Sequence, residues 1–376
     1  MASEIALASV LVTGAGLLGY SLILLHESPI GFDPHHLILL PLDMTRQRLE
    51  GKTLLGTYRQ FEEQLSRMHG VVNTTYANVV PVSDSISKGQ IHTAGAPVQA
   101  MLFNQVAPQY FATMRTPLIA GRAFRWSDTD ETPRVVIVNQ AAAERLFPHQ
   151  DAVHQQIYPG EKPVRIVGVV SDAKYLSLRE PAPPTVYLSM TQDLPPMQIF
   201  TAIVRYTGDP GPVILAADTI LHKLAPGMPI PGALSMEEQI RESLATQRLM
   251  ATLASFFAIT ALLITSVGLY GTLAYSTARR TGEIGIRMAL GALRQNIIRL
   301  ILRENALLVI GGCALGSFLS LVCARFIASL LYGVRSDSPA VLFDALCALL
   351  LVGLLASLLP AVRAARVDPM TAIRHE

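Results

Sequence analysis

Four long apolar runs constrain the fold of this chain more than any other feature. One covers residues 5–25, and three follow in the C-terminal part at 249–274, 305–324 and 345–362. None contains a charged side chain, and a helix of about 20 apolar residues crosses a bilayer. The fourth run reaches full length through residues 341–343 if Asp344 extends towards the head groups or faces protein. The sequence therefore predicts four transmembrane helices.

Composition agrees with a membrane protein. Apolar residues make up 51% of the chain and charged residues only 15%, whereas soluble domains carry about 25% charge. The 30 Lys and Arg nearly balance the 28 Asp and Glu, so a nucleic-acid partner is not expected. The three cysteines all lie in the C-terminal apolar runs and form no zinc or disulfide motif.

The first apolar run has one alternative interpretation, a cleaved signal peptide. The preceding residues, MASE, contain no Lys or Arg, and the run is longer than the 7–15 residues of a signal-peptide core. A membrane-spanning helix is therefore the favoured interpretation.

Basic residues predict how the helices are oriented. Cytoplasmic loops of membrane proteins are enriched in Lys and Arg. The basic residues lie between the second and third runs and after the fourth: Arg279, Arg280, Arg287, Arg294, Arg299, Arg303, Arg363, Arg366 and Arg374. We therefore predict that both termini are cytoplasmic and that residues 27–247 lie outside the membrane on the other side.

This outer segment has the pattern of a mixed α/β domain. An amphipathic helix is predicted from apolar residues at helical spacing, and helix 140–146 from the capping residue Asn139. The face of the first helix comprises Leu54, Tyr58, Phe61, Leu65 and Met68. Strands are predicted at 36–42, 71–80, 134–138, 164–170, 185–188 and 199–205. Clusters of Pro and Gly at 159–160, 181–184, 195–196 and 208–212 predict turns between them.

A helix is also predicted to lead from this domain into the second apolar run. Ser235 is followed by Met236, Glu237 and Glu238, which is typical of an N-cap with acidic residues in the first turn. Such a helix would transmit motion rigidly between the domain and the membrane.

Motifs for catalysis, cofactors or metals are weak. Gly51-Lys52-Thr53 resembles the end of a phosphate-binding loop, but Arg46 stands where the first glycine is required. The histidine pairs 35/36 and 149/154 lack the spacing and acidic neighbours of a metal site. We therefore predict no catalytic, cofactor or metal site and expect no enzyme.

The cytoplasmic segment 282–291 is the most informative stretch. Its spacing predicts a helix with Ile284 and Met288 on one face, supported by Glu283 four residues before Arg287. Spacing alone leaves two interpretations open: a helix resting on lipid, or a helix docking into another protein.

Several motifs resemble those of MacB-type ABC transporters. The runs RRTGEIGIRMALGALRQNIIRLILREN and LLPAVRAARVDPMTAIRHE resemble their FtsX-like permease domain. The runs VAPQYFATMRTPLIAGRAF, VVIVNQAAAERLFP, IVGVVSDAKYLSLREPAPPTVYLS and SLLYGV resemble their periplasmic core domain and its neighbours. The likeness extends over nearly the whole chain and is strongest to one half of the duplicated permeases of soil bacteria.

The resemblance implies transmembrane helix 1 at residues 1–26, a MacB-like periplasmic core domain at 27–247 and an FtsX-like permease domain at 248–376. It implies an inner-membrane permease subunit that relays the motion of a separate ATPase through a coupling loop at 276–303. The expected partners are that ATPase, a second copy or homologous half, the lipid bilayer and a periplasmic adaptor. The expected ATPase contacts are Gly282, Glu283, Ile284, Gly285, Ile286, Arg287, Leu290 and Gly291.

The family resemblance leaves two other functions open. One is an FtsX-like regulator that switches an extracytoplasmic hydrolase and moves no cargo. The other is a non-functional half-length fragment, since duplicated family members are about twice as long.

Overall fold

The structure is a computed structural model that describes residues 2–279, 294–327 and 339–364, with gaps at 48, 50, 84, 94–96, 193–198 and 228–231. The chain divides into two compact units. The sheet unit is residues 28–244, and the helical unit comprises the described residues of 1–27 and 245–376. Each unit is described by itself.

The helices, in chain order, are α1 (Ala2–Glu27), α2 (Gly51–Ser66), α3 (Tyr110–Met114), α4 (Gln140–Leu146), α5 (Pro210–Leu224), α6 (Met236–Ser243), α7 (Ala245–Arg279), α8 (Arg294–Ile327) and α9 (Pro339–Ala364). The strands are β1 (Leu37–Asp43), β2 (Val71–Ala77), β3 (Lys88–Ile91), β4 (Gln99–Val106), β5 (Leu118–Gly121), β6 (Val135–Asn139), β7 (Gln156–Ile157), β8 (Val164–Val170), β9 (Thr185–Ser189), β10 (Ile199–Tyr206) and β11 (Leu234–Ser235).

The sheet unit is built on one mixed sheet. Its strand order is β11-β1-β10-β2-β4-β9-β6-β8-β5, with β3 paired to β4 and β7 paired to β8. The pairs β4/β9 and β6/β8 are parallel, and the other pairs are antiparallel. One core packs α2 and α5 against β1, β10 and β2, and a second core packs α4 against β6, β8 and β9. The predicted α/β character of this segment is confirmed.

Most predicted elements of the sheet unit are confirmed. The six predicted strands correspond to β1, β2, β6, β8, β9 and β10. Helix α4 begins as expected, because Oδ1 of Asn139 accepts a hydrogen bond of 3.0 Å from the amide of Ala142. Helix α2 buries Leu54, Tyr58, Phe61 and Leu65.

Three local predictions are wrong. Helix α2 ends at Ser66, so Met68 lies beyond it and is 40% exposed instead of continuing its apolar face. The strand predicted at 71–80 ends at Ala77. The cluster at 208–212 is the start of α5 rather than a separating turn, because Asp209 caps the helix and Pro210 occupies its first turn.

The helical unit is organised around α1, which packs against α7, α8 and α9. Helix α9 also packs against α7 and α8. Of the described helices, two have stretches long and apolar enough to cross a membrane, at Ser3–Glu27 and Ala245–Ser276. The other two apolar stretches, Val309–Arg325 and Val341–Ala356, are shorter. The count of four transmembrane helices therefore stays a prediction.

Two helices extend into the segment 276–303, whose residues 280–293 lie outside the described part of the chain. Helix α7 continues to Arg279, and α8 already begins at Arg294. Arg299 and Arg303 thus lie in the first turns of a long helix rather than in a loop.

Candidate functional site

Small residues bring the helices of the helical unit close together. A Cβ atom added at Gly316 would lie 2.4 Å from Cβ of Ser9, and one added at Gly312 would lie 2.8 Å from Cβ of Ile5. Real side chains do not approach so closely, so α1 and α8 require glycine at both positions. Small residues four apart permit such close approach of helix backbones in membrane proteins.

The outward surfaces of these helices are apolar. Phe256, Leu263 and Val267 on α7 are each more than 60% exposed, as is Phe318 on α8. Large contiguous apolar surfaces mark contacts with lipid or protein. The helical unit therefore has the surface of a membrane-embedded bundle.

Helix α7 is longer than a membrane requires. Its 35 residues span about 52 Å at 1.5 Å per residue, compared with about 30 Å of hydrocarbon. The 34 residues of α8 span nearly as much. At least one end of each helix must therefore project beyond the hydrocarbon when the helix crosses it.

The sheet unit anchors the segment that follows α1 through Arg205, a side chain on β10 that is buried and only 3% exposed. Its guanidinium donates to the carbonyls of Thr113, His35 and Asp33 at 2.6, 2.8 and 2.9 Å. It also lies 3.3 Å from the carboxylate of Asp33, which accepts a 2.7 Å bond from Arg115. Residues 33–35 are therefore fixed by a charged network.

The electrostatics of this network stabilise the ionised form of Asp33. Burial alone would raise the pKa of Asp33, but the amide of His35 and the charges of Arg205 and Arg115 lower it below its ordinary value. Burial lowers the pKa of Arg205, and the carboxylate of Asp33 opposes that effect.

A second set of contacts holds the residues between the end of α1 and residue 33. The ammonium of Lys174 donates to Oγ of Ser28 at 2.7 Å and to the carbonyl of Leu178 at 2.6 Å. Gly31 has φ +85°, and a Cβ there would lie 1.9 Å from the carbonyl oxygen of Asp172. Only glycine fits this close approach.

Helix α6, which precedes α7 in the chain, is held by the sheet unit as well. Oγ of Ser235 accepts a 3.1 Å hydrogen bond from the amide of Glu238, which confirms the predicted N-cap. The side-chain amide of Gln239, through Nε2, donates hydrogen bonds to the backbone carbonyls of Pro81 and Val82. Nδ1 of His35 lies 2.9 Å from a carboxylate oxygen of Glu237. The two segments through which the sheet unit connects to the rest of the chain are thus joined to each other.

The helix that begins at Ser235 does not continue unbroken into the second apolar run. It ends at Ser243, Leu244 is its C-cap, and α7 begins at Ala245. The predicted helix therefore leads to the second apolar run as two helices separated by one residue.

The weak phosphate-loop and histidine motifs of the sequence lie in a helix turn and on the surface of the sheet unit. Gly51, Lys52 and Thr53 form the first turn of α2, and the exposed ammonium of Lys52 lies 3.3 Å from Glu131. His149 and His154 are exposed at the surface. Within the described residues, no group of three or more His, Cys, Asp or Glu is arranged to hold a metal ion.

The sheet unit also contains a cavity of about 260 Å³. Its lining includes Phe103, Val135, Leu188, Arg134, Lys162 and Gln192. The amide of Gln192 is already used, because its Oε1 accepts from the amide of Val135 and its Nε2 donates to neighbouring oxygens. The lining of the cavity therefore combines apolar side chains with charged groups of both signs, Arg134, Lys162 and Glu161.

The predicted ATPase contacts lie outside the described residues. They are Gly282, Glu283, Ile284, Gly285, Ile286, Arg287, Leu290 and Gly291. Arg205 and its partners are the residues that sequence reasoning missed. A charged side chain within an otherwise apolar strand was the signal that could have identified the network.

Comparison with known proteins extends over both units. Residues 9–228, more than half of the chain, match the MacB-like periplasmic core domain, and residues 255–369 match the FtsX-like permease C-terminal domain. The chain is similar to the "Macrolide export ATP-binding/permease protein MacB 1/2" of Paracoccus denitrificans, with 27% identity over 79% of this chain and 45% of that protein. The MacB protein of Agrobacterium fabrum is also 27% identical, over 72% of this chain and 43% of its own length.

The chain spans less than half the length of these relatives. Among solved structures, the periplasmic region of MacB from Actinobacillus actinomycetemcomitans is 16% identical, with a TM-score of 0.41, and the match covers 57% of this chain and 94% of that one. The domain matches decide the family: this chain belongs to the MacB-like ABC transporter permeases, with a MacB-like periplasmic core domain and an FtsX-like permease C-terminal domain.

Proposed function

We propose that this chain is the membrane subunit of an ABC exporter that works by mechanotransmission. In this proposal a separate ATPase binds and hydrolyses ATP on the cytoplasmic side. Its motion passes through the helical unit to the sheet unit outside the membrane, and the chain itself catalyses no reaction. The chain resides in the bacterial inner membrane with four spans and cytoplasmic termini.

The observation that carries this proposal is the length and position of α7. This helix begins at Ala245, directly after the last residue of the sheet unit, and ends at Arg279, within the proposed coupling loop at 276–303. A single helix of about 52 Å resists bending far better than a loop does. A displacement at Arg279 would therefore be delivered to the sheet-unit side with little loss.

The anchoring network supports the same proposal. A relay needs its output end to be firmly attached, because a compliant joint would absorb the motion. Arg205 binds residues 33–35, and α6 is bonded to Pro81, Val82 and His35. The sheet unit is thus attached at both of the segments where force would enter.

The proposal assigns a role to each part of the chain. Residues 1–26 form the first span, residues 27–247 the periplasmic core domain, and residues 248–376 the permease domain with its coupling loop. The proposal includes two such subunits, identical or homologous, because four helices alone cannot enclose a transport path. A periplasmic adaptor is a further proposed partner, since the named relatives are export proteins.

Affinity purification with two variants tests the ATPase contact. If segment 282–291 docks as a helix in a groove, apolar Ile286 is a buried anchor and Glu283 lies at the rim. Losing a buried anchor commonly costs about 1–3 kcal/mol, and losing a rim charge costs less. Ile286→Ala should therefore reduce ATPase recovery from membranes by about tenfold, and Glu283→Ala should reduce it little.

The control is membrane insertion, which both variants should retain. Equal ATPase recovery with wild type, Ile286→Ala and Glu283→Ala would remove the docking role. In that case the isolated 282–291 peptide should bind liposomes and lose binding when Ile286 is replaced, as expected of a helix resting on lipid. Recovery of an extracytoplasmic hydrolase in place of transport partners would favour a regulator instead.

A further inference from the structure

A crevice of about 320 Å³ lies on the helical unit between α1 and α9. Among the described residues that line it, four are apolar or small and two carry polar groups. The lining residues are Val12, Gly16, Val341, Ala345, Tyr20 and Asp344.

Asp344 is the unusual member of this set. It is the one charged residue of its helix between Pro339 and Pro360. An ionisable side chain within a membrane segment is costly, and such residues commonly mark binding sites or ion pathways. Among the residues that the structure describes, no basic side chain pairs with Asp344. The side chain of Asp344 is exposed, so within the described part of the chain its carboxylate can accept a cationic ligand.

The position of Asp344 along its helix gives the crevice a polar end and an apolar end. Asp344 lies five residues after the start of α9, which is about 7 Å along the axis. Tyr20 lies seven residues before the end of α1, or about 10 Å. Val12 lies eight residues before Tyr20, about 12 Å deeper into the apolar part of the helix. The carboxylate and the phenol therefore lie near a helix end, and the apolar wall extends inward from them.

Gly16 lies where α1 and α9 approach closely beside the crevice. A Cβ atom at Gly16 would lie 3.0 Å from Cγ1 of Val341, so even alanine would be tight there. A larger side chain would press against Val341 and extend into the adjoining crevice. This glycine gives a way to close the crevice without changing any charge.

We propose that this crevice binds an alkylammonium amphiphile. Its ammonium group would lie against the carboxylate of Asp344 and the phenol of Tyr20, and its alkyl chain against Val12, Gly16 and Val341. The ammonium supplies the opposite charge, and the chain matches the apolar wall. The role of such a molecule as cargo rests on the proposed export function, whereas its binding does not. The amine of a phosphatidylethanolamine head group has the same chemistry and is the second source.

Direct binding to the full-length chain in phosphatidylglycerol nanodiscs tests this proposal without any ATPase. The probes are dansyl-aminododecylamine and, as its anionic counterpart, dansyl-aminododecanoic acid. Wild type should bind the amine and discriminate against the acid. Asp344→Asn should weaken amine binding about tenfold, the loss expected for one charge-assisted hydrogen bond, and Asp344→Glu should retain most of it. Gly16→Leu should abolish binding by filling the crevice.

Glu4→Gln is the matched control, because it removes another carboxylate from the same helical unit and should leave binding unchanged. Equal amine binding by wild type and Asp344→Asn, or equal binding of amine and acid, would overturn the proposal. If Asp344→Asn fails to insert, Gly16→Leu and Tyr20→Phe decide: unchanged binding in both would also overturn it.

A second arm identifies the source of the ammonium group. In this arm, phosphatidylethanolamine replaces part of the phosphatidylglycerol. If probe binding then weakens in wild type but not in the variants, the result supports the site and identifies a lipid amine as its occupant. Unchanged binding would support the site with a free amphiphile as its occupant. A failure of amine binding leaves the ATPase recovery test unaffected, so the two proposals fail separately.

Discussion

The sheet unit and the helical unit bury their side chains in opposite ways. Phe61, Tyr58 and Phe200 are buried in the sheet unit, where Tyr58 and Phe200 meet edge to face at 5.6 Å. In the helical unit Phe256 and Phe318 point outward, and glycine, alanine and serine fill the helix contacts. The sheet unit is stabilised by removing large apolar groups from water. In the helical unit, small residues permit close backbone packing, as lipid would require.

A matched pair of phenylalanine substitutions should show the largest difference in stability between the two units. Phe61→Ala should lower the free energy of unfolding of the sheet unit by about 4 kcal/mol, because it removes a fully buried ring. Phe318→Ala should change the stability of the helical unit by less than about 1 kcal/mol, since its ring is 65% exposed and lipid is as apolar as the ring.

Hydrogen exchange of the full-length chain in nanodiscs measures both effects, with α2 and β10 as reporters for Phe61 and α8 as the reporter for Phe318. A loss at Phe318 as large as that at Phe61 would show that the two units do not differ in this way.

The buried charge network is the next largest expected effect. Arg205→Met should lower the free energy of unfolding of the sheet unit by about 3 kcal/mol, because three carbonyls and the carboxylate of Asp33 lose a buried partner. Arg59→Met is the matched control: its guanidinium is exposed and pairs with Glu63 one turn away, so the cost should stay below about 1 kcal/mol.

Faster hydrogen exchange at residues 33–37 in Arg205→Met, but not in Arg59→Met, is the expected result. Equal protection in both variants would mean that the network does not anchor this segment.

A pH dependence confined to the sheet unit is the smallest effect. Burial raises the pKa of Glu62 to about 7, the charge of Glu63 adds to this, and Arg59 opposes it. Between about pH 4.5 and 7 the folded state retains a proton that the unfolded chain releases, so the free energy of unfolding falls as pH rises. The fall should be on the order of 1–3 kcal/mol and absent in Glu62→Gln.

Thermal unfolding of wild type, Glu62→Gln and the exposed-site control Glu144→Gln at pH 5 and pH 8 measures this effect. Parallel behaviour of wild type and Glu62→Gln would show that Glu62 does not titrate in this range.

The two units also differed in how far their sequences predicted their structure. Strands β6 and β8 were predicted because they are continuous apolar runs between turn residues. Strand β4 was missed, since it buries the polar residues Asn104 and Gln105. The amide of Asn104 bonds to both backbone groups of Val79, a partner that is distant in sequence. Local pattern cannot reveal such a pairing.

The candidate sites show the same limit. The sequence marked Asp344 as an unusual charge in an apolar run, but its neighbours Gly16 and Tyr20 come from a helix more than three hundred residues earlier. The rotation of α1 and α9 about their axes decides which side chains share the crevice, and helical periodicity alone does not fix that rotation. Arg205 was likewise visible as a charge in a strand, whereas its partners required the fold.

The relay along α7 is tested most directly by measuring distances between two subunits. Cys313, Cys323 and Cys347 are replaced by alanine, and a spin label is placed at Leu215→Cys, an exposed position on α5. The chain is assembled in nanodiscs with its second subunit and the co-purified ATPase. We predict that the distance between labels shifts by several ångström when ATP is trapped with vanadate, and that Ile286→Ala suppresses the shift. The same distance distribution in every nucleotide state, with the ATPase bound and active, would contradict the relay.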